Sequence, residues 1–387
     1  MPIQPAKIAD DSRRVVVARR LGARFGDRLV DAERRRGRGA ASNAAGRFEI
    51  LRREELDDGW APDEAPAPLE TEVTIERPRA IITRNESPDI SFDRSINPYR
   101  GCEHGCFYCF ARPSHAYLGL SAGLDFESKL FVKEGAAALL ERELAAPNYR
   151  PRPIALGANT DAYQPIERRY RVARAALEVL ARARHPVGVV TKSNLILRDL
   201  DLIAPMAAEG LVKVFLSVTT LERDLARRME PRAPTPARRI EAIERLAEAG
   251  IPVGVMAAPI IPAVNDDEIE AILTRAYAAG AREAGYVALR LPLELRDIFR
   301  EWLAVNFPDK LKRALSLVRS MHGGKDYDSQ WGRRMAGSGP YAWMIGRRFE
   351  IAGKKLGYRE TPFALRSDLF RPPVLGGAKQ PEQLSLF

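Results

Sequence analysis

Six short apolar runs, rich in β-branched residues and separated by amphipathic helical stretches, limit this chain to very few folds. They begin at Ser95-Ile96-Asn97 and continue at residues 154–157 (IALG), 186–191 (PVGVVT), 212–218 (VKVFLSV) and 251–257 (IPVGVMA). Residues 286–291 (YVALRL) close the series. Near-continuous runs of this kind suit parallel strands covered on both faces. Between them, residues 134–146, 167–183, 199–209, 236–249 and 266–279 repeat their apolar positions every three to four residues, as helices do. Gly250 and Gly280 stand where a helix C-cap belongs. Six strand–helix units are too few to close an eight-stranded barrel, so the pattern predicts an α/β chain with a partial (β/α)6 barrel over residues 95–305. Such folds carry their ligands at the C-terminal ends of the strands.

The loop after the first run holds every cysteine of the chain. Residues 97–109 (NPYRGCEHGCFYC) place Cys102, Cys106 and Cys109 in a C-x3-C-x2-C array, with Gly101 and Gly105 beside the first two. Thiolates at short local spacing are the usual ligands of iron–sulfur clusters. A four-iron cluster takes four ligands, and three are supplied. A metal site with one open position suits chemistry, whereas a closed one suits structure. A structural zinc site completed by His104 or His115, or three unrelated thiols, stand as alternatives.

Polar residues follow each later strand. They are Gly157-Ala158-Asn159-Thr160-Asp161 after the second, Thr191-Lys192-Ser193 after the third and Ser217-Val218-Thr219-Thr220 after the fourth, then Met229-Glu230-Pro231-Arg232. The fifth ends in Ala258-Pro259-Ile260-Ile261-Pro262. With the cysteine loop, this arrangement resembles the radical SAM superfamily, and over roughly 95–265 its spore photoproduct lyase branch. The loop C-E-H-G-C-x-Y-C-F-A-R-P is similar to one shared by uncharacterised bacterial relatives. The resemblance implies that Cys102, Cys106 and Cys109 hold a [4Fe–4S] cluster. The fourth iron would bind S-adenosylmethionine, whose reductive cleavage yields a 5′-deoxyadenosyl radical. It implies that Tyr108 lies against the adenine, that Thr160 and Asp161 line the cofactor site and that Lys192 meets the carboxylate of S-adenosylmethionine. Ser217 would bond its amino-acid or ribose part, with Arg232 as a further contact. A flavodoxin- or ferredoxin-type donor, or a reductase, would supply the electron. Two positions depart from the lyase pattern. Asn159 replaces a cysteine after the second strand, and Phe110 replaces a tyrosine after the last cluster cysteine. Neither gives up a hydrogen atom readily, so photoproduct splitting does not follow from the resemblance.

The flanks are less regular. Residues 1–94 read as an N-terminal extension. In it Arg34-Arg35-Arg36-Gly37-Arg38-Gly39 forms a basic run, most simply a solvated arm, alternatively a phosphate contact. Residues 57–70 are acidic and proline-rich, as in a linker, and residues 71–84 read as a strand or clasp. Residues 306–371 form an α-rich C-terminal segment. Its interleaved Tyr327, Trp331, Arg333, Arg334, Tyr341, Trp343, Arg347 and Arg348 suit either base stacking or packing over an open barrel. Residues 372–387 form a tail. Its last five, Gln383, Leu384, Ser385, Leu386 and Phe387, resemble the peptide by which bacterial DNA-processing proteins dock on the sliding clamp. Leu384, Leu386 and Phe387 would fill an apolar pocket there and Gln383 would anchor.

The net charge of +10 favours a polyanionic partner. No apolar run reaches the ~20 residues of a membrane span, and clustered cysteines suit a reducing cytoplasm. These features together predict a radical SAM enzyme that abstracts hydrogen from a substrate, with damaged DNA favoured. A peptide or small metabolite as substrate, and a non-catalytic iron–sulfur protein that binds DNA or senses redox state, are the alternatives.

Overall fold

The computed structural model describes residues 29–49 and 67–375. Its centre is a seven-stranded sheet. β1 (Glu72–Glu76) and β2 (Ile82–Arg84) precede the barrel strands. These are β3 (Arg94–Ile96), β6 (Ile154–Leu156), β7 (Val187–Thr191), β8 (Val212–Ser217), β9 (Val253–Ile260) and β10 (Glu283–Ala288). The order is β10-β9-β8-β7-β6-β3-β2. The six barrel strands run parallel, and β2 closes the edge antiparallel to β3. A second, three-stranded sheet sets β1 parallel to β5 (Lys129–Lys133), which also pairs with the two-residue β4 (Tyr99–Arg100). The partial (β/α)6 barrel is therefore present, and residues 71–84 supply both a clasp strand and an edge strand.

Helices α1 (Ala136–Leu144), α2 (Val172–Arg182), α3 (Leu200–Ala208), α4 (Arg223–Met229), α5 (Pro236–Glu248) and α6 (Ile269–Ala278) follow strands on the outside. They bury apolar faces against β-branched residues such as Val189, Val214 and Val255, all fully enclosed. Each such side chain contributes roughly 1.5–3 kcal/mol. Gly250 and Gly280 adopt φ of 73° and 102° just after α5 and α6, as the capping pattern requires.

Two departures from the sequence pattern have local causes. The expected helix over 167–183 breaks at Arg171, where φ is 51°. The buried Glu167 carboxylate accepts from the amides of Ala173 (3.0 Å) and Arg174 (3.2 Å), so it caps α2 and ends the preceding turn. The sixth strand starts three residues earlier than its apolar run. Glu283 begins it because Lys213 pairs with its carboxylate at 3.1 Å and the amide of Phe363 donates to it at 2.8 Å.

The C-terminal region provides α7 (Leu295–Asn306), α8 (Leu311–Ser320) and α9 (Gly339–Leu356). Helix α9 covers β10 and α6. Phe349 packs on Tyr286 with centroids 4.8 Å apart, and Arg348 forks onto Glu270. Tyr341 donates to Asp266, and Arg334 binds Asp89 and Ser87. Most of the interleaved arginines and tyrosines thus serve packing, whereas Trp331 and Trp343 stay exposed. No helix among the described residues is long and apolar enough to cross a membrane. The clamp-like residues 383–387 lie outside the described residues, as does most of the acidic linker.

The basic run is not simply a solvated arm. Arg34 and Arg36 are exposed, but Arg38 is buried and donates to the carbonyls of Glu127 (2.7 Å) and Leu69 (2.8 Å). Gly39 follows, pressed so closely on the cysteine loop that a Cβ there would lie 1.7 Å from the Gly105 carbonyl oxygen. Ser42 then donates to Glu301 of α7 at 2.6 Å. Gly39→Ala is expected to lower stability by roughly 1–3 kcal/mol and to reduce iron incorporation. Urea unfolding and iron analysis check this, and a variant matching wild type in both would contradict the packing.

Candidate metal and cofactor site

The cysteine loop leaves β4 and returns through a one-turn helix at Asp125–Ser128 to β5, the neighbouring strand of the three-stranded sheet. Gly101 (φ 75°) and Gly105 (φ 68°) turn it tightly. A Cβ on Gly101 would meet Leu130 at 2.7 Å, and one on Gly105 would meet the Glu127 carboxylate at 2.7 Å. Only glycine fits either place. Cys102 and Cys106 are buried and Cys109 is partly exposed.

The loop is held from outside by one ion pair that sequence reasoning missed. Arg112 and Glu127 are both fully enclosed and bonded to each other. Arg112 also donates to the carbonyls of Cys106 (2.8 Å), Gly105 (3.3 Å), Ala122 (3.1 Å) and Gly123 (2.8 Å). Glu127 accepts from the amides of Gly39 and Ala40, each at 2.8 Å. Gln164 grips the loop's other side. It accepts from the Glu103 amide (2.9 Å) and donates to the Gly101 carbonyl (3.1 Å). Arg112 lies within the C-E-H-G-C-x-Y-C-F-A-R-P loop and Gln164 three residues beyond Asp161, but only folding shows that they bond to main-chain groups.

The donor set fits a cluster better than zinc. No group of histidine, cysteine or acidic side chains among the described residues converges on a single ion; a cubane presents separate irons to its thiolates and needs no such convergence. His115 Nε2 lies 3.0 Å from the Lys129 carbonyl oxygen and His104 Nδ1 3.3 Å from Asp161, and among the described residues neither histidine is grouped with the cysteines around one ion. Burial pushes the Cys102 thiol well above its ordinary range and Cys106 up to about 12. Cluster loading would therefore release protons as it ionises the thiols.

Inside the barrel, opposite the loop, lies a second buried charge system. Glu230 receives bonds from Tyr108, Thr219 (2.6 Å) and Arg239. Arg239 also donates to the Ser217 carbonyl at 3.1 Å. Burial opposes ionisation of Glu230, but Arg239 and Lys192 outweigh it and hold the carboxyl at about 2. Burial likewise disfavours the Lys192 ammonium, yet Cys106, Glu230 and Asp161 keep its pKa above the ordinary value. Lys192 lies 5.7 Å from the Tyr108 ring centroid, and its ammonium makes no ion pair with the described residues.

The expected cofactor contacts divide accordingly. Tyr108 and Lys192 stand together beside the cysteine loop, and the Ser217 hydroxyl has no partner among the described residues. Asp161 is committed elsewhere. It accepts from Thr191 (2.7 Å) and the amides of Lys192 (2.8 Å) and Tyr163 (2.9 Å), and so braces the tops of β6 and β7 against His104. These partners hold it ionised despite burial. Thr160 donates to the Tyr99 carbonyl at 2.8 Å. Arg232 pairs with Glu103 at 2.8 Å on the outer side of the loop. The polar groups of Thr160, Asp161 and Arg232 are thus bonded within the protein.

Comparison with known proteins agrees with this geometry. A family model described as the radical SAM superfamily matches residues 96–276. The chain belongs to that superfamily, whose members use a [4Fe–4S] cluster and S-adenosylmethionine. An uncharacterised protein of Mycobacterium tuberculosis is 38% identical over 232 residues, 59% of this chain and 68% of the relative. Another, from Methanocaldococcus jannaschii, is 29% identical over 214 residues, 55% of this chain and 76% of its own length. Among solved structures, a cysteine-to-serine mutant of spore photoproduct lyase shares the fold with a TM-score of 0.50 at 15% identity. The match covers 73% of this chain and 78% of that one.

Glu230→Gln leaves Arg239 without its counter-charge in a buried place, which costs about 3–5 kcal/mol. The Glu230 carboxyl sits below its unfolded value of 4.5, so its stabilisation is present above pH 4.5 and fades as pH falls toward 2. Urea unfolding of the metal-free protein should show this acid-side loss flattened in the variant. An unchanged midpoint with the same acid limb would contradict the assignment.

Proposed function

We propose that this radical SAM enzyme abstracts hydrogen from a nucleic-acid strand, with a damaged DNA base as the reacting group. When bound, the cluster and S-adenosylmethionine supply the reductive cleavage and the hydrogen-abstracting power. Cys102, Cys106 and Cys109 hold the cluster. Lys192 takes the cofactor's carboxylate, Ser217 bonds its polar part and Tyr108 limits its position. The barrel wall keeps water and stray hydrogen donors away. A flavodoxin- or ferredoxin-type protein is the natural electron source. Docking of residues 383–387 on a sliding clamp would bring the enzyme to DNA.

The observation that supports a nucleic-acid strand is the rim beside the cysteine loop. Phe110 directly follows Cys109 and is 41% exposed. Farther along the same segment, Tyr117 is 73% exposed and lies 5.3 Å from the Phe48 ring, itself exposed. Arg47 covers both rings, 5.3 and 5.6 Å from their centroids. Exposed aromatics with arginines are what bases stack on and phosphates pair with. The net charge of +10 suits the same partner.

The test is formation of 5′-deoxyadenosine by the reconstituted, reduced protein, with and without a UV-irradiated oligonucleotide. Stimulation by the irradiated strand is expected. Lys192→Ala should weaken S-adenosylmethionine binding roughly 10–100-fold with iron content unchanged. Cleavage indifferent to DNA would turn the substrate toward a peptide or metabolite. No cleavage by a verified cluster would favour a redox-sensing protein.

A further inference from the structure

Arg290 is an unusual arginine in this chain. It stands two residues beyond the end of β10, at the mouth of the barrel. Its guanidinium carbon lies 4.8 Å above the ring of Phe110. The residue is partly enclosed, and its Nε is buried with no hydrogen-bond partner. Among the described residues it forms no ion pair. Of the acidic groups nearby, Asp89 is already engaged and Glu294 is engaged through one oxygen. Asp89 accepts from the Gly332 amide at 2.6 Å and binds Arg334, and Arg290 acts on it only through charge. Glu294, four residues farther on, accepts from Arg47 on Oε2 at 3.1 Å. The other Glu294 oxygen, Oε1, is also buried without a partner.

A guanidinium that lies over an aromatic ring and forms no ion pair among the described residues is set up for an anionic oxygen. Phe110 packs against the guanidinium and limits where its N–H groups can reach. The position matters because Phe110 adjoins the last cluster cysteine. Whatever anion Arg290 holds lies at the rim past which a substrate must reach the reacting centre.

We propose that Arg290 receives a backbone phosphate of the substrate strand and so sets which nucleotide enters the barrel. This rests on the nucleic-acid reading above. Phe110 limits the reach of the guanidinium and offers its exposed edge to a neighbouring base. The role also gives a reason for a phenylalanine at position 110, where a hydroxyl would compete for the arginine's donors.

The experiment measures binding of fluorescein-labelled, UV-irradiated single strands by anisotropy across a salt series, using wild type, Arg290→Gln and Arg290→Lys. A set of strands each carrying one neutral methylphosphonate accompanies it. Wild type should lose about tenfold in affinity when one particular phosphate is neutralised. Arg290→Gln should bind about tenfold more weakly, with a salt slope shallower by roughly 0.7, and should no longer respond to that phosphate. Its iron content and DNA-independent cleavage of S-adenosylmethionine should match wild type. Arg290→Lys should keep the salt slope and the sensitive position, which holds the test open if the glutamine variant folds poorly. Wild-type binding with no sensitive phosphate, or an Arg290→Gln variant that keeps that sensitivity, overturns the anchor while the nucleic-acid reading stands. Failure of wild type to bind any strand overturns both.

Discussion

The buried pair of Arg112 and Glu127 is the contact on which the metal site depends. A charge pair without water is costly unless every remaining donor and acceptor is met. Here Arg112 spends its donors on four carbonyls of the cysteine loop and its return, and Glu127 spends its oxygens on the amides of Gly39 and Ala40. The pair therefore converts a flexible, glycine-containing loop into a fixed cradle. It also makes the cradle three-sided, because the N-terminal segment, the loop and the return that leads to β5 all meet at these two side chains.

The second buried system, Glu230 with Arg239, Tyr108 and Thr219, does the corresponding work across the barrel. It binds the top of β8 to the aromatic residue lying between two cluster cysteines. Lys192 is left inside this field with negative neighbours but no direct partner, so its charge is kept and its donors remain available. One set of charges is satisfied so that another can stay unsatisfied. The same contrast recurs at the rim, where Arg334 is consumed by Asp89 and Arg290 is not.

The strand–helix alternation and the cysteine spacing were plain in the sequence because each is local. Five residues of periodicity identify a buried strand, and eight residues contain the whole thiol array. The edges were less legible. β10 begins at Glu283 only because Lys213, seventy residues earlier, neutralises it. The break at Arg171 follows from a carboxylate that caps the next helix. The braces were hidden for the same reason. Arg38 and Gln164 bond to main-chain groups far away in sequence, and Arg112 to carbonyls six to eleven residues off across an irregular loop, and no periodic pattern marks such partners. Resemblance drew attention to Asp161, Thr160 and Arg232, whose bonds in the fold are to the protein itself.

The central claim is that three thiolates hold a cluster whose fourth iron is left for S-adenosylmethionine. Mössbauer spectroscopy of the 57Fe-reconstituted protein, before and after addition of S-adenosylmethionine, tests it most directly. The account predicts a [4Fe–4S] signal in which one iron of four changes its isomer shift and quadrupole splitting when S-adenosylmethionine binds, the other three staying as they were. A spectrum indifferent to S-adenosylmethionine, or one without a four-iron cluster after full reconstitution, would contradict it.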